Sequence, residues 1–85
     1  MKAKVFVAKQ AQDQIACLIP ELQERANKRI SKINTVESFL EHSKVIGTSP
    51  LGEVRRFRAG PIVRILAAVD EDMVTVVGIG LRPTV

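Results

Sequence analysis

Three arginines fall within four residues in Glu53-Val54-Arg55-Arg56-Phe57-Arg58-Ala59-Gly60. A fourth, Arg64, interrupts the apolar run Ile62-Val63-Arg64-Ile65-Leu66-Ala67-Ala68-Val69. Guanidinium is always charged and binds phosphate oxygens bidentately, so arginines gathered on one surface suit a phosphate-bearing partner. In an extended strand alternate side chains share a face. Arg56 and Arg58 then point one way, and Arg55, Phe57 and Ala59 the other. Phe57 marks the side that packs on a core, which leaves Arg56 and Arg58 on an open face and Arg55 near the sheet edge, snorkelling outward. Val74, Val76, Gly78, Gly80 and Arg82 form a second alternating set, whose two glycines beside an arginine make a shallow floor. Arg56, Arg58, Arg64 and Arg82 together form a phosphate cluster, with Arg55, Arg58 and Gly80 as substrate contacts. Such arginines are often only solvated, or paired with acids such as Glu53 and Glu71. Arg64 argues against that reading, because a charge in a central strand is costly to bury.

Phosphoryl chemistry also needs proton transfer, and guanidinium does not accept protons. Glu53, His42 and Lys44 are the remaining candidates. Glu53 beside Arg55 would stay ionised and available as a base; an ordinary surface ion pair is the commoner role for such a residue. Histidine is the side chain type suited to acid–base work near neutral pH, and His42 is the single histidine. It lies in Glu41-His42-Ser43, at a helix end or loop, where a lone histidine is usually solvated. No metal-ligand spacing, Ser/His/Asp set or Gly-rich nucleotide motif occurs, so neither metal nor cofactor is expected.

The elements that position these residues follow from periodicity. Lys4-Val5-Phe6-Val7-Ala8 reads as a first strand. Ala11, Ile15, Leu18, Leu22, Ala26, Ile30 and Ile33 then recur at steps of three and four, one face of a helix. Pro20, with Glu21 and Glu24 behind it, restarts that helix, predicting an antiparallel pair over roughly 9–18 and 20–33. Asn34 followed by Glu37 resembles a capping box leading into a short third helix. Residues 43–52, with Gly47, Ser49, Pro50 and Gly52, read as loop. Runs over 53–59, 62–69 and 73–81, separated by Gly60-Pro61 and Asp70-Glu71-Asp72, predict a three-strand antiparallel meander. The fold class is therefore α+β: an N-terminal strand, a two-helix hairpin and the meander, with the helices on one face of the sheet.

Eighty-five residues make one domain, 1–85, with no room for a second core. A net charge of +4 and a pI near 9.7 favour nucleic acid, the ribosome or an acidic protein as partner. Cys17, the one cysteine, excludes an internal disulfide and reads as a buried packing thiol among Ile15, Ala16, Leu18 and Ile19. The apolar stretch 5–8 is too short for a signal peptide or a membrane span, so no membrane partner and a cytoplasmic location are expected.

The order of strand, helical hairpin, basic strand, Gly, apolar strand with an Arg, acidic turn and final strand resembles the RelE/ParE toxins of toxin–antitoxin pairs. The residues that carry it are Arg55-Arg56-Phe57-Arg58-Ala59-Gly60, Val63-Arg64-Ile65-Leu66, Asp70-Glu71-Asp72 and Val76-Val77-Gly78-Ile79-Gly80-Leu81-Arg82. RelE-like members enter the ribosomal A site and cut mRNA, and ParE-like members poison DNA gyrase. The resemblance implies a catalytic role for Arg56, with Arg58 beside it, for Arg64 on the third strand and for Arg82 in the Gly-x-Arg stretch. Two departures stand out. Pro61-Ile62-Val63 replaces a shorter, often aromatic, approach to the third-strand arginine. The Tyr or His that RelE-like nucleases carry after Gly-x-Arg is missing from Pro83-Thr84-Val85, and the sequence holds no tyrosine.

The resemblance therefore implies a ribosome-dependent mRNA endonuclease, or a weakened relative, whose partners are the ribosome with its mRNA and a cognate antitoxin. The alternative is a non-enzymatic ParE-like toxin that inhibits gyrase, or a module that only binds its antitoxin. A helix-turn-helix DNA binder over residues 22–40 fits poorly, since its apolar face runs into the core and leaves no basic recognition helix. Edge strands in so small a sheet invite pairing with a second copy as a homodimer.

Overall fold

A computed structural model describes residues 1–81 of the chain. The β-rich opening forms β1 (Lys4–Val7), and the three-and-four spacing winds into α1 (Lys9–Ala16) and α2 (Pro20–Ser31). Pro20 opens α2 where its missing N–H is not needed, with Glu21 in the first turn and Lys28 and Arg29 in the last, each complementing the helix dipole. Both helices stop two residues short of the expected ends. Leu18 N–H bonds back to Ile15 and Ile33 N–H to Ile30, at 3.0 and 3.1 Å, tightening each final turn. Ala11, Ile15, Ala26 and Ile30 are buried, as their spacing requires. Cys17 is exposed, contrary to the expected packing role. It lies about 200° around the helix axis from Ile15, on the far side from the core.

The third helix, α3 (Val36–Glu41), forms with a different cap from the expected one. Thr35 accepts the Ser38 N–H at 3.2 Å, and Glu37 instead holds the N-terminal ammonium at 2.6 and 2.7 Å. The larger correction follows it. Residues read as loop form an edge strand, β2 (Lys44–Ser49), paired antiparallel with β3 (Gly52–Ala59). Only Val45 and Ile46 are apolar in that strand, so local pattern was too weak to reveal a pairing that β3 imposes from outside. Gly52 then takes φ 119° at the turn, where a Cβ would lie 2.2 Å from the Val69 carbonyl oxygen. Only glycine fits there.

β4 (Val63–Asp70) and β5 (Met73–Leu81) complete one five-stranded sheet in the order β1-β5-β4-β3-β2. The meander is antiparallel throughout, and β1 joins β5 in parallel, which the α1–α2 crossover permits. α1 packs on β5, and α2 packs on β3 and β4. Beneath them lie Phe57, Val63, Ile65, Ala67, Val74 and Val76, all at most 2% exposed. Phe39 of α3 meets Phe57 edge-on at 5.1 Å between ring centroids, and the Arg29 guanidinium sits 4.9 Å above the Phe57 ring. These contacts define a covered face and an open face.

One irregularity decides what the open face carries. Ala67 pairs with Val76 and Leu66 with Gly78, so Val77 is an extra residue in β5. Such a bulge reverses the alternation beyond it. Val74 and Val76 therefore face the helices while Gly78 and Gly80 face away, instead of all four sharing a side.

Candidate functional site

Strand register builds the site. Arg58 pairs with Arg64, Arg56 with Leu66, and Arg64 with Gly80, so these residues share the open face. Arg58 and Arg64 are directly opposed across the β3–β4 ladder, which sets two guanidinium side chains side by side on this face. A groove of about 510 Å³ opens there. Its floor is Arg56, Arg64, Leu66, Gly78 and Gly80, with Gln10 and Gln14 of α1 on one flank and Ile46 of β2 on the other. Arg64 is half-buried and Arg58 exposed. Among the described residues, nothing approaches within 4 Å of a Cβ built on Gly80. Gln14 supports the flank: its Oε1 accepts the Ile79 N–H at 2.7 Å, past the end of β1, where β5 has no strand neighbour on that side among the described residues.

The sequence candidates separate into three groups. Arg56, Arg64 and Gly80 line the groove. Arg58, His42 and Lys44 line a second cavity of about 490 Å³ beside it, which Arg56 also borders and to which α2 contributes Arg29. Arg55 and Glu53 lie on the covered face. Arg55 does not snorkel outward: its side chain is 13% exposed and is held from four sides. Nε donates to Ser43 Oγ at 2.7 Å, Nη2 to the Leu40 and Ser43 carbonyls at 3.1 Å each, and Nη1 to the Glu53 carboxylate. It clamps the α3–β2 turn onto β3 rather than facing the groove. Glu53 is engaged in that clamp. Arg82 lies outside the described residues.

His42 caps the end of α3, with Nδ1 2.8 Å from the Ser38 carbonyl. A carbonyl only accepts, so Nδ1 is the donor and Nε2 is left for other work. Among the described residues, no group of three or more His, Cys, Asp or Glu comes together to hold a metal. No helix among them is long and apolar enough to cross a membrane.

Sequence reasoning missed Ile46, Gln10 and Gln14 as groove walls, and Arg29 as a neighbour of Arg58. Ile46 is hidden in the sequence because residues 43–52 carry loop chemistry. The two glutamines flank the apolar stripe of α1, and only their packing against the uncovered part of β5 brings them to the site. Arg29 carried a usable signal, since Arg25, Lys28, Arg29 and Lys32 recur on one face of α2.

No protein-family model and no curated protein matches the sequence. Solved structures do. A chain of the RelBE2 toxin–antitoxin complex of Mycobacterium tuberculosis superposes with a TM-score of 0.77 at 15% identity, covering 96% of this chain and 100% of that one. A chain of the archaeal RelE–RelB complex of Pyrococcus horikoshii superposes at 0.67 and 14% identity, with both chains covered completely. At such identities the shared property is the backbone arrangement, and the chain has the RelE fold.

Proposed function

We propose that this chain is the toxin of a toxin–antitoxin pair and acts on mRNA in the ribosome through the open-face groove. The observation that supports this most is the register that gathers Arg56, Arg58 and Arg64 on the uncovered side of a RelE-type sheet. Cleavage by attack of a 2′-hydroxyl passes through a crowded, doubly charged phosphorane. Fixed guanidinium groups aimed at that charge stabilise it more than the ground state. The ribosome supplies the orientation of the strand that so small a site lacks. The partner in the cell is a cognate antitoxin, whose extended acidic segment neutralises the same face.

A second reading has its own observation. The described lining of the groove contains no His, Asp, Glu or Lys to move a proton, and His42 opens onto the adjoining cavity instead. That composition suits a binding face, as in a gyrase inhibitor or a module that engages only its antitoxin. Incubation with programmed ribosomes, followed by primer extension, separates the two. The nuclease reading expects cuts in the A-site codon that fall roughly 100-fold or more in Arg64→Ala. Folded protein that never cuts, but blocks gyrase supercoiling, would establish the second reading and remove the first.

A further inference from the structure

We propose that an RNA backbone track runs from the groove over the free end of β3 and onto α2, holding phosphates beyond the nucleotide in the groove. It rests on the nucleic-acid reading of the groove and extends it to a surface on the helix side.

Four observations carry this. Continuity comes first. Arg56 borders both the groove and the adjoining cavity with Lys44 and Arg58. Arg29 borders that cavity, the next one with Lys32 and His42, and a third with Arg25 and Lys28 beside the β3–β4 turn. The second observation is charge spacing. Arg25, Lys28, Arg29 and Lys32 lie at i, i+3, i+4 and i+7, where like charges on one helix face repel. Lys28 and Arg29 sit in the last turn of α2 and are favoured there by the helix dipole. The dipole does not account for Lys44, Arg56 and Arg58 continuing the same belt across the sheet edge.

Third, the acids are elsewhere. Glu53, Asp70, Glu71 and Asp72 sit at the opposite end of the strands, since Glu53 pairs with Val69 and Asp70 with Met73. Glu21, paired with Arg25 at 3.4 Å, Glu24, one turn before Lys28 on α2, and Glu41 are the acids close to the belt. The segregation leaves one pole of the molecule cationic, which attracts and steers a polyanion.

Fourth, the edge is unsuited to a peptide strand. β2 pairing ends at Lys44 with Arg56, and beyond it Arg29 Nε already donates to the Arg58 carbonyl at 3.2 Å. A phosphodiester needs only cations at intervals, which is what the belt presents. The short dimension of the molecule is 23 Å. At about 3.4 Å per nucleotide, a stacked strand crossing it spans roughly seven nucleotides.

The test is fluorescence anisotropy with RNA trimers and dodecamers across a salt series, comparing the wild type with Lys28→Ala/Lys32→Ala/Lys44→Ala. All three side chains are exposed, so folding is preserved. The dodecamer should bind more tightly than the trimer. The triple variant should reduce its log K against log salt slope by about 2, three contacts at ~0.7 each, and leave the trimer unchanged. Equal affinity for trimer and dodecamer, or an unchanged slope, overturns the track. So does a glutamate-rich peptide of matched charge that displaces the dodecamer as well as unlabelled RNA does, which would assign the belt to an acidic protein segment. Ribosomal cleavage by the wild type separates this proposal from the nuclease reading. Slope loss without any cleavage by the wild type keeps the track and removes the nuclease, and cleavage with an unchanged slope does the reverse.

Discussion

Arg55 and Arg56 are chain neighbours with opposite surroundings. Arg55 turns under α3, where its guanidinium satisfies two carbonyls, a hydroxyl and a carboxylate. Arg56 turns to the open face, where it borders two cavities. The same contrast holds along β4, where Val63, Ile65 and Ala67 are fully buried and Arg64 lies between them on the other side. One face of the sheet is committed to the core, and the other is the face proposed above for a partner. Parity along the strand, not residue type, assigns each arginine its work.

Substitutions should therefore separate by parity. The largest effect belongs to Phe57→Ala, which removes the Phe39 edge contact and the Arg29 cation contact along with the buried ring. It should cost about 3–5 kcal/mol. A chain of this length has a total stability of roughly 4–13 kcal/mol at ~0.05–0.15 kcal/mol per residue. Urea unfolding should show much of that margin gone. Next comes the neighbouring pair. Arg55→Ala leaves the Leu40 and Ser43 carbonyls short of a charged donor and should cost about 2–3 kcal/mol. Arg56→Ala should leave the urea midpoint in place and weaken RNA binding. If Arg56→Ala destabilised the chain as much as Arg55→Ala, the division of labour between the faces would be wrong.

The sequence made much of this division legible. The 3.6-residue stripe of both helices, the β4 run and the β5 run are long enough for periodicity to identify them, and Phe57 assigned the faces of β3 correctly. What stayed hidden depends on non-local geometry. β2 has two apolar residues and owes its conformation to pairing with β3. The Val77 bulge is a register event between two strands, invisible in β5 alone, and it turns Gly78 and Gly80 away from Val74 and Val76. The sequence points Arg55 outward because two of its partners are carbonyls of residues 40 and 43, and no side-chain pattern announces a backbone acceptor. The groove's glutamine flank arises only after α1 docks beside the end of β5.

A smaller effect is expected at the acidic pole. Glu71 takes φ 54° in the β4–β5 turn, a left-handed conformation that an L side chain tolerates poorly. Glu71→Gly should raise stability by about 0.5–1 kcal/mol, the relief of strain exceeding the entropy lost on ordering glycine. RNA binding should stay unchanged, since this turn lies at the far end of the strands from Arg58 and Arg64. A loss of binding in Glu71→Gly would mean that the acidic pole shapes the site, against the separation drawn here.

The smallest effect tests α3 from its other end. Arg55 holds the α3–β2 turn from a nearly buried position, while Glu37 tethers the start of α3 to the N-terminal ammonium in full solvent exposure. The hydrogen bond from that ammonium, with one from the backbone, holds the Glu37 carboxyl below its ordinary value. A carboxylate lowered in the folded state contributes stability above its unfolded pKa and loses it as pH falls through the folded one. Glu37→Gln should thus lower the melting temperature slightly near neutral pH. The difference from wild type should vanish below the carboxylate range and shrink in high salt. Arg55→Ala should show the opposite pattern, with a large loss that salt hardly alters, because three of its four partners are uncharged, two carbonyls and a hydroxyl, and its own side chain is nearly buried. Equal salt sensitivity in the two variants would show that Arg55 acts as an exposed ion pair with Glu53, and that burial does not set the two tethers apart.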